Sequence, residues 1–329
     1  MNILVVKDKN HFPITSFNSD HAKLIKKAYP EAKIDTIDNI SSESSQQFLK
    51  QADVMILPTS LLNTVNFKKT TSLKWLHITS AGVDKLPDEI LRSSIIVTNS
   101  SGVHPIPIAE HVFTFMLMFA RQLHKSYRQQ VEKKTWLRTS DFLPTTEVYG
   151  KTIGIVGLGR IGKRIAKVAK GFDMQVVALT RTKHKKEDNV DKQYTDKDVD
   201  KLLKASDFVI GCLPGTKESN HFFDLKKFSK MKPTAYFINI GRGKTVNEKD
   251  LIKALKKNII SGAGLDVFEE EPLPKDSPLW DLENVIITPH YAGWTPYYLD
   301  RVIEIFSENL KAYAKDNPMP NLINKTRGY

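Results

Sequence analysis

The stretch KTIGIVGLGRIGKRIAKVAKGFD, residues 151–173, decides the fold predicted for this chain. Residues 152–156 form a short apolar run rich in β-branched side chains, which predicts a buried strand of a parallel sheet. After the glycines, apolar residues recur at helical spacing while lysine and arginine occupy the opposite face. The sequence therefore predicts a strand, a glycine turn and a helix in direct succession.

The glycines of this turn, Gly157, Gly159 and Gly162, have the spacing G-x-G-x-x-G. The first allows a tight turn, the second lets the backbone approach a phosphate, and the third lets the helix pack closely on the strand. The first N–H groups of a helix lack partners, and the helix dipole attracts negative charge. We therefore expect a dinucleotide here, bound also by Arg160 and Ile161. The alternative is a glycine-rich turn without a ligand.

Length and composition are those of an ordinary globular protein with about two domains. The chain has 329 residues, of which 40% are apolar and 26% charged. No apolar run approaches the roughly 20 residues that cross a bilayer, and the N-terminus lacks a signal-peptide pattern. The one cysteine, Cys212, excludes an internal disulfide, and no Cys/His cluster has metal-ligand spacing. A soluble, cytoplasmic protein without a metal or a membrane partner is expected.

The net charge of +12 raises nucleic acid as a partner. However, the lysines are scattered among acidic residues, and no recognisable nucleic-acid motif accompanies them. Solvated lysine faces are the preferred interpretation, so no nucleic-acid partner is expected. The charge would also help to attract anionic substrates and cofactors.

Strand-like and helical patterns alternate along the chain, which predicts an α/β fold with two domains. Residues 1–99 form a small α/β unit without a glycine fingerprint, and a helix at 299–314 is expected to dock on it. We therefore expect a flavodoxin-like substrate domain made of 1–99 and 294–329. Residues 100–293 are expected to form a doubly wound parallel Rossmann sheet that binds the dinucleotide. Its predicted strands lie at 153–156, 175–179, 208–212, 235–239, 262–265 and 285–288.

The residues after the second strand of this sheet bear on the choice of dinucleotide. An acidic residue about 20 positions after the glycine motif would bond the ribose 2′-hydroxyl and favour NAD. Here Thr180 stands in that region, followed by Arg181 and Thr182, and the next acidic residue is Glu187. A guanidinium can bind the additional phosphate of NADP in bidentate fashion. NADP is therefore the expected cofactor, with NAD, held by backbone beside a basic surface loop, as the alternative.

A loop of small residues, TSAGVD at 79–84, follows a predicted strand. Such residues leave backbone N–H groups accessible to an anion such as a carboxylate. Ala81, Gly82 and Val83 are therefore candidate substrate ligands. An ordinary turn is the alternative.

Three later segments each bring one reactive side chain to the end of a strand. Arg242 lies between two glycines, Glu271 ends an acidic turn, and His290 follows Thr288-Pro289. The carboxyl ends of strands are where open α/β sheets bind ligands. Taken singly, each has an ordinary interpretation: a surface ion pair, an acidic turn and a satisfied loop histidine.

Together and in this order, these segments resemble the D-isomer-specific 2-hydroxyacid dehydrogenases. The resemblance spans nearly the whole chain and includes the loop SAGVD at 80–84, GVHP at 102–105, AEH at 109–111 and the turn GLGRIG. The patterns GVH and AGWTP, the latter at 292–296, are most similar to the glyoxylate/hydroxypyruvate reductase branch. The resemblance implies NAD(P)H-dependent reduction of a small 2-keto acid to the D-2-hydroxy acid.

The resemblance also implies roles for individual residues. Arg242 would bind the substrate carboxylate and carbonyl, His290 would be the acid/base, and Glu271 would orient it. Asp266 would lie beside the nicotinamide carboxamide. The expected cofactor site is completed by Leu213, Pro214, Ile240 and Gly293.

Elementary chemistry supports these roles. Hydride attack on a 2-keto acid builds negative charge on the carbonyl oxygen, so a positioned proton donor such as His290 is needed. A neighbouring Glu271 would favour the charged imidazolium. Arg242 can hold a carboxylate at two points and thereby fix which face meets the hydride.

Several alternatives stay open at this stage. The chain could act as a phosphoglycerate dehydrogenase within the same class, or as a dinucleotide-sensing, corepressor-like binding protein on the same fold. Glu271 argues against formate dehydrogenase chemistry, because those family members have glutamine in its role. The resemblance implies a homodimer through the dinucleotide-binding domain, built by one long helix from about 108 to 133 and the arm around Trp136. The apolar run 112–118 equally fits a helix buried within one chain.

Overall fold

The computed structural model describes residues 1–8, 17–82, 86–136, 144–181 and 187–325. The chain forms two compact units, Met1–Val103 with Thr295–Tyr329, and His104–Trp294. The first unit is therefore built from both ends of the chain. The domain division expected from the sequence, 1–99 with 294–329 and 100–293, stays a prediction.

Helices and strands alternate through most of both units. The strands are β1 Asn2–Val6, β2 Lys33–Ile37, β3 Val54–Leu57, β4 Trp75–Ile78, β5 Ile96–Asn99, β6 Thr152–Val156, β7 Gln175–Leu179, β8 Lys192–Tyr194, β9 Phe208–Gly211, β10 Tyr236–Asn239, β11 Gly262–Leu265 and β12 Val285–Ile287. The α-helices are α1 Ser19–Ala28, α2 Glu43–Gln51, α3 Asp88–Leu91, α4 Pro105–Ala120, α5 Leu123–Arg128, α6 Arg160–Gly171, α7 Val199–Ala205, α8 Leu225–Phe228, α9 Glu248–Lys256 and α10 Tyr298–Tyr313. Short 3₁₀ helices lie at Thr59–Thr64, Phe67–Lys69, Asp196–Asp198, Gly243–Thr245 and Pro278–Asp281.

The first unit contains a five-stranded sheet in the order β2-β1-β3-β4-β5. Every neighbouring pair is parallel. This is the strand order of flavodoxin-like folds, as predicted. Helix α10 belongs to the same unit, where Phe306 stacks on Trp75 of β4 with ring centroids 4.9 Å apart. The C-terminal helix thus completes the core that the first hundred residues begin.

The second unit contains a seven-stranded sheet in the order β12-β11-β10-β9-β6-β7-β8. All its pairs are parallel. The order reverses direction at β6, which carries the glycine turn at its carboxyl end. Such a reversal makes the crevice in which doubly wound sheets bind ligands. The predicted Rossmann sheet is confirmed, with one strand, β8, that the sequence analysis did not identify because two of its residues are polar and it has only three.

The single helix expected from 108 to 133 is wrong. Helix α4 begins earlier, because Pro105 occupies its first turn, where the fixed φ of proline suits a helix. It ends at Ala120, and Gln122 adopts a left-handed conformation with φ of 54°. The Gln122 side chain donates to the Phe119 carbonyl at 2.9 Å and so caps the helix end. Helix α5 and a π-helical turn at Gln129–Lys133 follow as separate elements.

No helix in the described parts of the chain is long and apolar enough to cross a membrane.

A buried hydrogen-bond chain in the first unit surrounds His77 on β4. The Trp75 indole donates to the Thr98 hydroxyl at 2.8 Å, and that hydroxyl lies 2.7 Å from His77 Nδ1. His77 Nε2 lies 3.1 Å from the Ser100 hydroxyl, which donates to the Ile78 carbonyl. Since the Ser100 hydroxyl donates its single proton to that carbonyl, its oxygen accepts from His77 Nε2–H. His77 Nδ1 in turn accepts from the Thr98 hydroxyl. The imidazole is therefore neutral, and burial lowers its pKa to about 3.

This buried imidazole predicts a loss of stability in acid. In the unfolded chain His77 takes up a proton near its ordinary pKa of 6.5, whereas in the folded chain its pKa is about 3. Between these values the unfolded state binds the additional proton, so the free energy of unfolding falls by about 1.4 kcal/mol per pH unit as the pH decreases. Urea denaturation of the wild type and His77→Gln at several pH values measures this. The variant should lack this part of the slope, and equal slopes would contradict the prediction.

Candidate active site

The glycine turn between β6 and α6 has the packing that its sequence predicts. Gly157 has φ of +105°, and a Cβ there would lie 2.8 Å from the Cys212 carbonyl oxygen. A Cβ on Gly162 would collide with the carbonyl oxygen of Gly157, so only glycine lets α6 pack this closely on β6. A Cβ on Gly159, by contrast, would meet no atom of the described residues within 4 Å. The backbone at Gly159 is open to a ligand.

The first turn of α6 is built to receive an anion. Gly159 caps the helix without a side-chain hydrogen bond, which leaves the first-turn N–H groups without the usual side-chain acceptor. Arg160 and Ile161 form this turn, and Ile161 packs against the core of the unit. A diphosphate at this helix end would satisfy the N–H groups and interact favourably with the helix dipole. The residues present therefore fit a dinucleotide.

The residues after β7 lie where the adenosine ribose is expected. Thr180 is buried, and its N–H donates to the Tyr194 carbonyl at 2.9 Å. Arg181 is exposed, whereas Thr182 lies outside the described residues. The first acidic residue along this segment, Glu187, forms an ion pair of 2.7 Å with Lys163 of α6. Its carboxylate is thus already engaged by a cation.

Two further predicted cofactor segments lie side by side at the carboxyl edge of the sheet. Leu213 and Pro214 follow β9, and Ile240 follows β10. The Ile240 N–H donates to the Gly211 carbonyl at 3.2 Å, and a Cβ on Gly241 would lie 2.7 Å from the Leu213 carbonyl oxygen. The two loops touch through their backbones, next to the glycine turn.

Arg242 follows the same strand end and has an exposed side chain. Its Nη1 donates to the Gly241 carbonyl at 2.8 Å, the one hydrogen bond of this guanidinium within the described parts of the chain. A guanidinium has five N–H donors, so most of them are available to a ligand. Its backbone is fixed by the Thr245 hydroxyl, which donates to the Arg242 carbonyl at 2.6 Å. A Cβ on Gly243 would collide with the Phe268 carbonyl, so the arginine loop packs directly on the segment that leads to Glu271.

His290 and Glu271 form the pair that the sequence analysis predicted. His290 Nδ1 lies 2.7 Å from Glu271 Oε2, with 51% of the histidine side chain and 35% of the glutamate side chain exposed. The other carboxylate oxygen of Glu271 accepts the Phe268 N–H at 3.0 Å. Because an ionised carboxylate only accepts, Nδ1 carries the proton of this bond. The Nε2 atom is thereby left for a substrate.

Asp266 holds the turn that carries His290. This buried carboxylate accepts the Thr288 hydroxyl at 2.6 Å and the N–H groups of Tyr291 and Ala292 at 3.0 and 3.1 Å. His290 itself has φ of 53°, a left-handed conformation that costs free energy in a residue with a side chain. The bonds on both sides of His290 stabilise that conformation. Gly293 completes the turn, where a Cβ would lie 2.9 Å from His104 Cδ2.

In the first unit, the predicted anion loop has its carbonyl groups occupied. The carbonyls of residues 79–82 all accept hydrogen bonds, whereas the N–H groups of Ala81 and Gly82 have no acceptor among the described residues. The donors to these carbonyls are, in order, the Tyr298 hydroxyl at 2.8 Å, the Ser100 N–H at 2.9 Å, the Asn99 amide at 2.8 Å and the Ser80 hydroxyl at 2.7 Å. Val83 lies outside the described residues. The loop therefore presents N–H groups to a ligand, as a carboxylate site requires.

The sequence analysis did not identify Thr288 and His111 as residues of the site. Thr288 donates to Asp266, and His111 Nε2 lies 3.0 Å from the Thr288 hydroxyl. The signals were present, since AEH at 109–111 was one of the patterns of the resemblance and Thr288-Pro289 was named directly before His290. Nothing in either motif showed that the two would meet.

Comparisons with known proteins agree with this geometry. Residues 113–292 match the family model described as D-isomer specific 2-hydroxyacid dehydrogenase, NAD binding domain. A glyoxylate reductase of Pyrococcus furiosus is 38% identical over 286 residues, covering 84% of each chain.

Solved structures show the same similarity. A D-isomer specific 2-hydroxyacid dehydrogenase family protein from Aeromonas salmonicida has a TM-score of 0.81 and 32% identity, covering 98% of this chain and 99% of that one. A probable 2-hydroxyacid dehydrogenase from Rhizobium etli, in complex with NADP and L(+)-tartaric acid, has a TM-score of 0.72 and 26% identity, covering 100% and 99%.

A match over more than half of the chain, identity above a third to a relative of similar length, and a shared two-sheet fold lead to one assignment. The chain belongs to the D-isomer-specific 2-hydroxyacid dehydrogenases, oxidoreductases that act on the CH–OH group of donors with a nicotinamide dinucleotide.

Proposed function

We propose that this protein reduces glyoxylate, hydroxypyruvate or a similarly small 2-keto acid to the D-2-hydroxy acid, with NADPH as the preferred cofactor. The observation that carries the proposal is the placement of Arg242, Glu271 and His290 at the ends of three neighbouring strands, β10, β11 and β12. The glyoxylate reductase of P. furiosus, 38% identical, supports the substrate class.

His290 acts as the proton donor in this proposal. A bound reduced nicotinamide supplies hydride to the carbonyl carbon of the substrate. As negative charge builds on the carbonyl oxygen, His290 Nε2 donates its proton to that oxygen. Glu271, 2.7 Å from Nδ1, keeps the ring in one orientation and stabilises the imidazolium before the transfer. In the reverse reaction the same imidazole accepts the hydroxyl proton.

Arg242 binds the substrate carboxylate. Its exposed guanidinium has donors available, and a planar fork matches the two oxygens of a carboxylate. The N–H groups of Ala81, Gly82 and Val83 in the first unit are likewise proposed as substrate ligands. Two-point binding fixes which face of the carbonyl carbon receives the hydride, which determines the D configuration of the product.

NADPH preference is supported by the charges near the end of β7. The neutral, buried Thr180 stands where a carboxylate would select NAD, and the exposed Arg181 follows it. The carboxylate of Glu187 is paired with Lys163, so its negative charge is partly compensated. A phosphate on the ribose would therefore meet the Arg181 cation, and the first acidic residue that follows along the chain, Glu187, is already paired. Arg181 and Thr182 are proposed as its ligands, and the NADP complex of the R. etli relative supports the same preference.

A homodimer through the second unit is part of the proposal. Large apolar side chains after Gln122 are exposed: Leu123 by 52%, Tyr127 by 65%, Val131 by 53% and Trp136 by 93%. The first three recur every four residues and so lie on one face of the helical segment. Exposed apolar stripes of this kind mark interaction surfaces, and a second copy of the chain is the proposed partner. A cytoplasmic location is also proposed, supported by the single, unpaired cysteine.

The substrate and the proton donor can be tested together. Initial rates with glyoxylate, hydroxypyruvate, phosphohydroxypyruvate and 2-ketogluconate, each with NADPH, should be highest for one of the first two. His290→Ala should lower kcat by about 100-fold or more, because the general acid is lost, while NADPH binding by fluorescence titration stays unchanged. The kcat of Glu271→Gln should lie between those of the wild type and His290→Ala. The control is Glu270→Gln, a change of the exposed neighbouring glutamate, and its kcat should be near that of the wild type. Full activity of His290→Ala would contradict the role of His290 as proton donor.

The cofactor preference has its own test. Arg181→Ala should raise the KM for NADPH about tenfold, since a charge-assisted contact with the 2′-phosphate is lost, and leave the KM for NADH unchanged. Lys167→Ala, which removes an exposed cation from α6, is the matched control and should alter neither. A wild type that uses NADH as efficiently as NADPH would refute the preference.

The proposed dimer can be checked by light scattering of the purified protein. We expect about twice the mass of 37.4 kDa. Tyr127→Asp with Val131→Asp places two charges in the apolar face and should shift the mass towards that of a single chain. The control is Lys125→Asp, on the same helix but outside the apolar face. A monomeric wild type at micromolar concentration would exclude the dimer.

A further inference from the structure

A buried hydrogen-bond chain runs from helix α4 to the turn that carries His290, and the proposed mechanism does not use it. His111 Nε2 lies 3.0 Å from the Thr288 hydroxyl, and this hydroxyl lies 2.6 Å from Asp266 Oδ1. The side chains of His111 and Asp266 are 13% and 3% exposed. The three residues come from α4, from the segment after β12 and from the end of β11. Their assembly therefore depends on the fold of the second unit.

The direction of each hydrogen bond follows from the chemistry of the three groups. The ionised carboxylate of Asp266 can only accept, so the Thr288 hydroxyl uses its single proton on that carboxylate. The Thr288 oxygen must then accept from His111, which places the His111 proton on Nε2. Burial lowers the pKa of His111 and outweighs the negative charge of Asp266, which acts to raise it. The imidazole is therefore neutral. The hydrogen bond from His111 thus fixes the rotamer of the Thr288 hydroxyl, which donates to Asp266.

The approach of α4 to the sheet is set by a missing side chain. A Cβ on Gly264 of β11 would lie 2.7 Å from Phe115 Cγ, so only glycine admits the phenyl ring there. Phe115 is one helical turn after His111, and the two rings meet edge to face with centroids 4.6 Å apart. The ring of Tyr291 contacts the imidazole on another side, with centroids 5.4 Å apart. The imidazole is therefore held in place by ring packing as well as by its hydrogen bond.

Asp266 connects this hydrogen-bond chain to the turn that carries His290, the proposed proton donor. Its carboxylate binds the N–H groups of Tyr291 and Ala292, the two residues directly after His290. His290 has φ of 53°, so its position depends on bonds that hold an unfavourable backbone conformation. A Thr288 hydroxyl without a fixed orientation would deprive Asp266 Oδ1 of one of its donors, and the carboxylate would then be held less firmly against these N–H groups.

We infer that His111 is a positioning residue for His290, acting through the Thr288 hydroxyl and the Asp266 carboxylate. The inference rests on the proposed role of His290 as proton donor. His111 makes no direct contact with the reacting atoms in this account. It sets where the acid/base imidazole lies, and so it affects kcat more than substrate binding.

Two substitutions of His111 separate its hydrogen bond from its packing. His111→Phe keeps an aromatic ring against Phe115 and Tyr291 but has no N–H donor. His111→Gln keeps a donor near the position of Nε2. We expect kcat for glyoxylate reduction with NADPH to fall about tenfold in the Phe variant and to stay within about threefold of wild type in the Gln variant. The KM for glyoxylate should change by less than about threefold in both, because Arg242 is on a different strand end.

A double-mutant cycle with Thr288 tests the proposed route. Thr288→Val removes the hydroxyl at nearly constant shape, and it should lower kcat by about as much as His111→Phe. Combining the two should add little, because both break the same chain of hydrogen bonds. Thr288→Ser, which keeps the hydroxyl, should rescue kcat. Thermal unfolding of every variant reports folding separately.

Some outcomes would overturn this inference, and others would overturn the proposed function. Wild-type kcat in a folded His111→Phe, equal losses in the Phe and Gln variants, or additive losses in the double variant would each overturn the inference. If His111→Phe does not fold, the Thr288→Val and Thr288→Ser pair decides in the same way. If the wild type reduces none of the 2-keto acids, or if His290→Ala keeps its activity, the proposed function fails instead. The two failures are thereby distinguishable.

Discussion

The site depends on one constraint of a parallel sheet, namely that all strands end at the same edge. In the second unit β10, β11 and β12 are consecutive neighbours, and each is followed within six residues by one side chain of the proposed site. Arg242, Glu271 and His290 are far apart in sequence but follow adjacent strand ends. Because the ladder hydrogen bonds fix the strands relative to one another, the three loops start from fixed positions. Loop sequence then needs only to aim each side chain.

The side chains that position His290 come almost entirely from one loop. Asp266 and Glu271 are five residues apart on the chain that leaves β11, and they hold His290 in two different ways. The first binds the backbone after the histidine, and the second binds its ring nitrogen. A single loop thus sets both the backbone conformation and the ring orientation of the proposed proton donor. Such double support is what a general acid needs if its geometry is to be ready before the substrate arrives.

Glycine residues place the other parts of the site by being small. Gly162 lets α6 approach β6, Gly264 lets α4 approach β11, and Gly243 lets the arginine loop lie on the chain before Glu271. In each case a methyl group would meet backbone or a ring at less than van der Waals distance. Gly159 is different, because the space beside it is open in the described structure and suits an approaching phosphate. The same residue type therefore serves packing at three places and leaves open space at a fourth.

Much of this protein could be predicted from the sequence, because the relevant signals are local. The strand, glycine turn and helix at 151–173 follow one another along the chain, so periodicity and motif spacing were enough to predict a Rossmann sheet. The family, too, was identified from motifs that lie in short segments, and the comparisons confirmed it. Local signals failed where they were weak, as for the three-residue strand β8, or where a helix could equally continue or stop, as at Gln122.

Only the tertiary structure decided which side chains meet. His111 and Thr288 are 177 residues apart, and no periodicity within either motif reports on the other. The proton positions on His111 and His290 likewise follow from their partners, Thr288 and Glu271, and not from the residue type. The order of strands in the sheet was also invisible along the chain, although it alone brings the ends of β10, β11 and β12 together. Sequence determined the elements and the chemistry available to them, because these are local properties. The fold determined the contacts, because they join residues that only packing brings within hydrogen-bond distance.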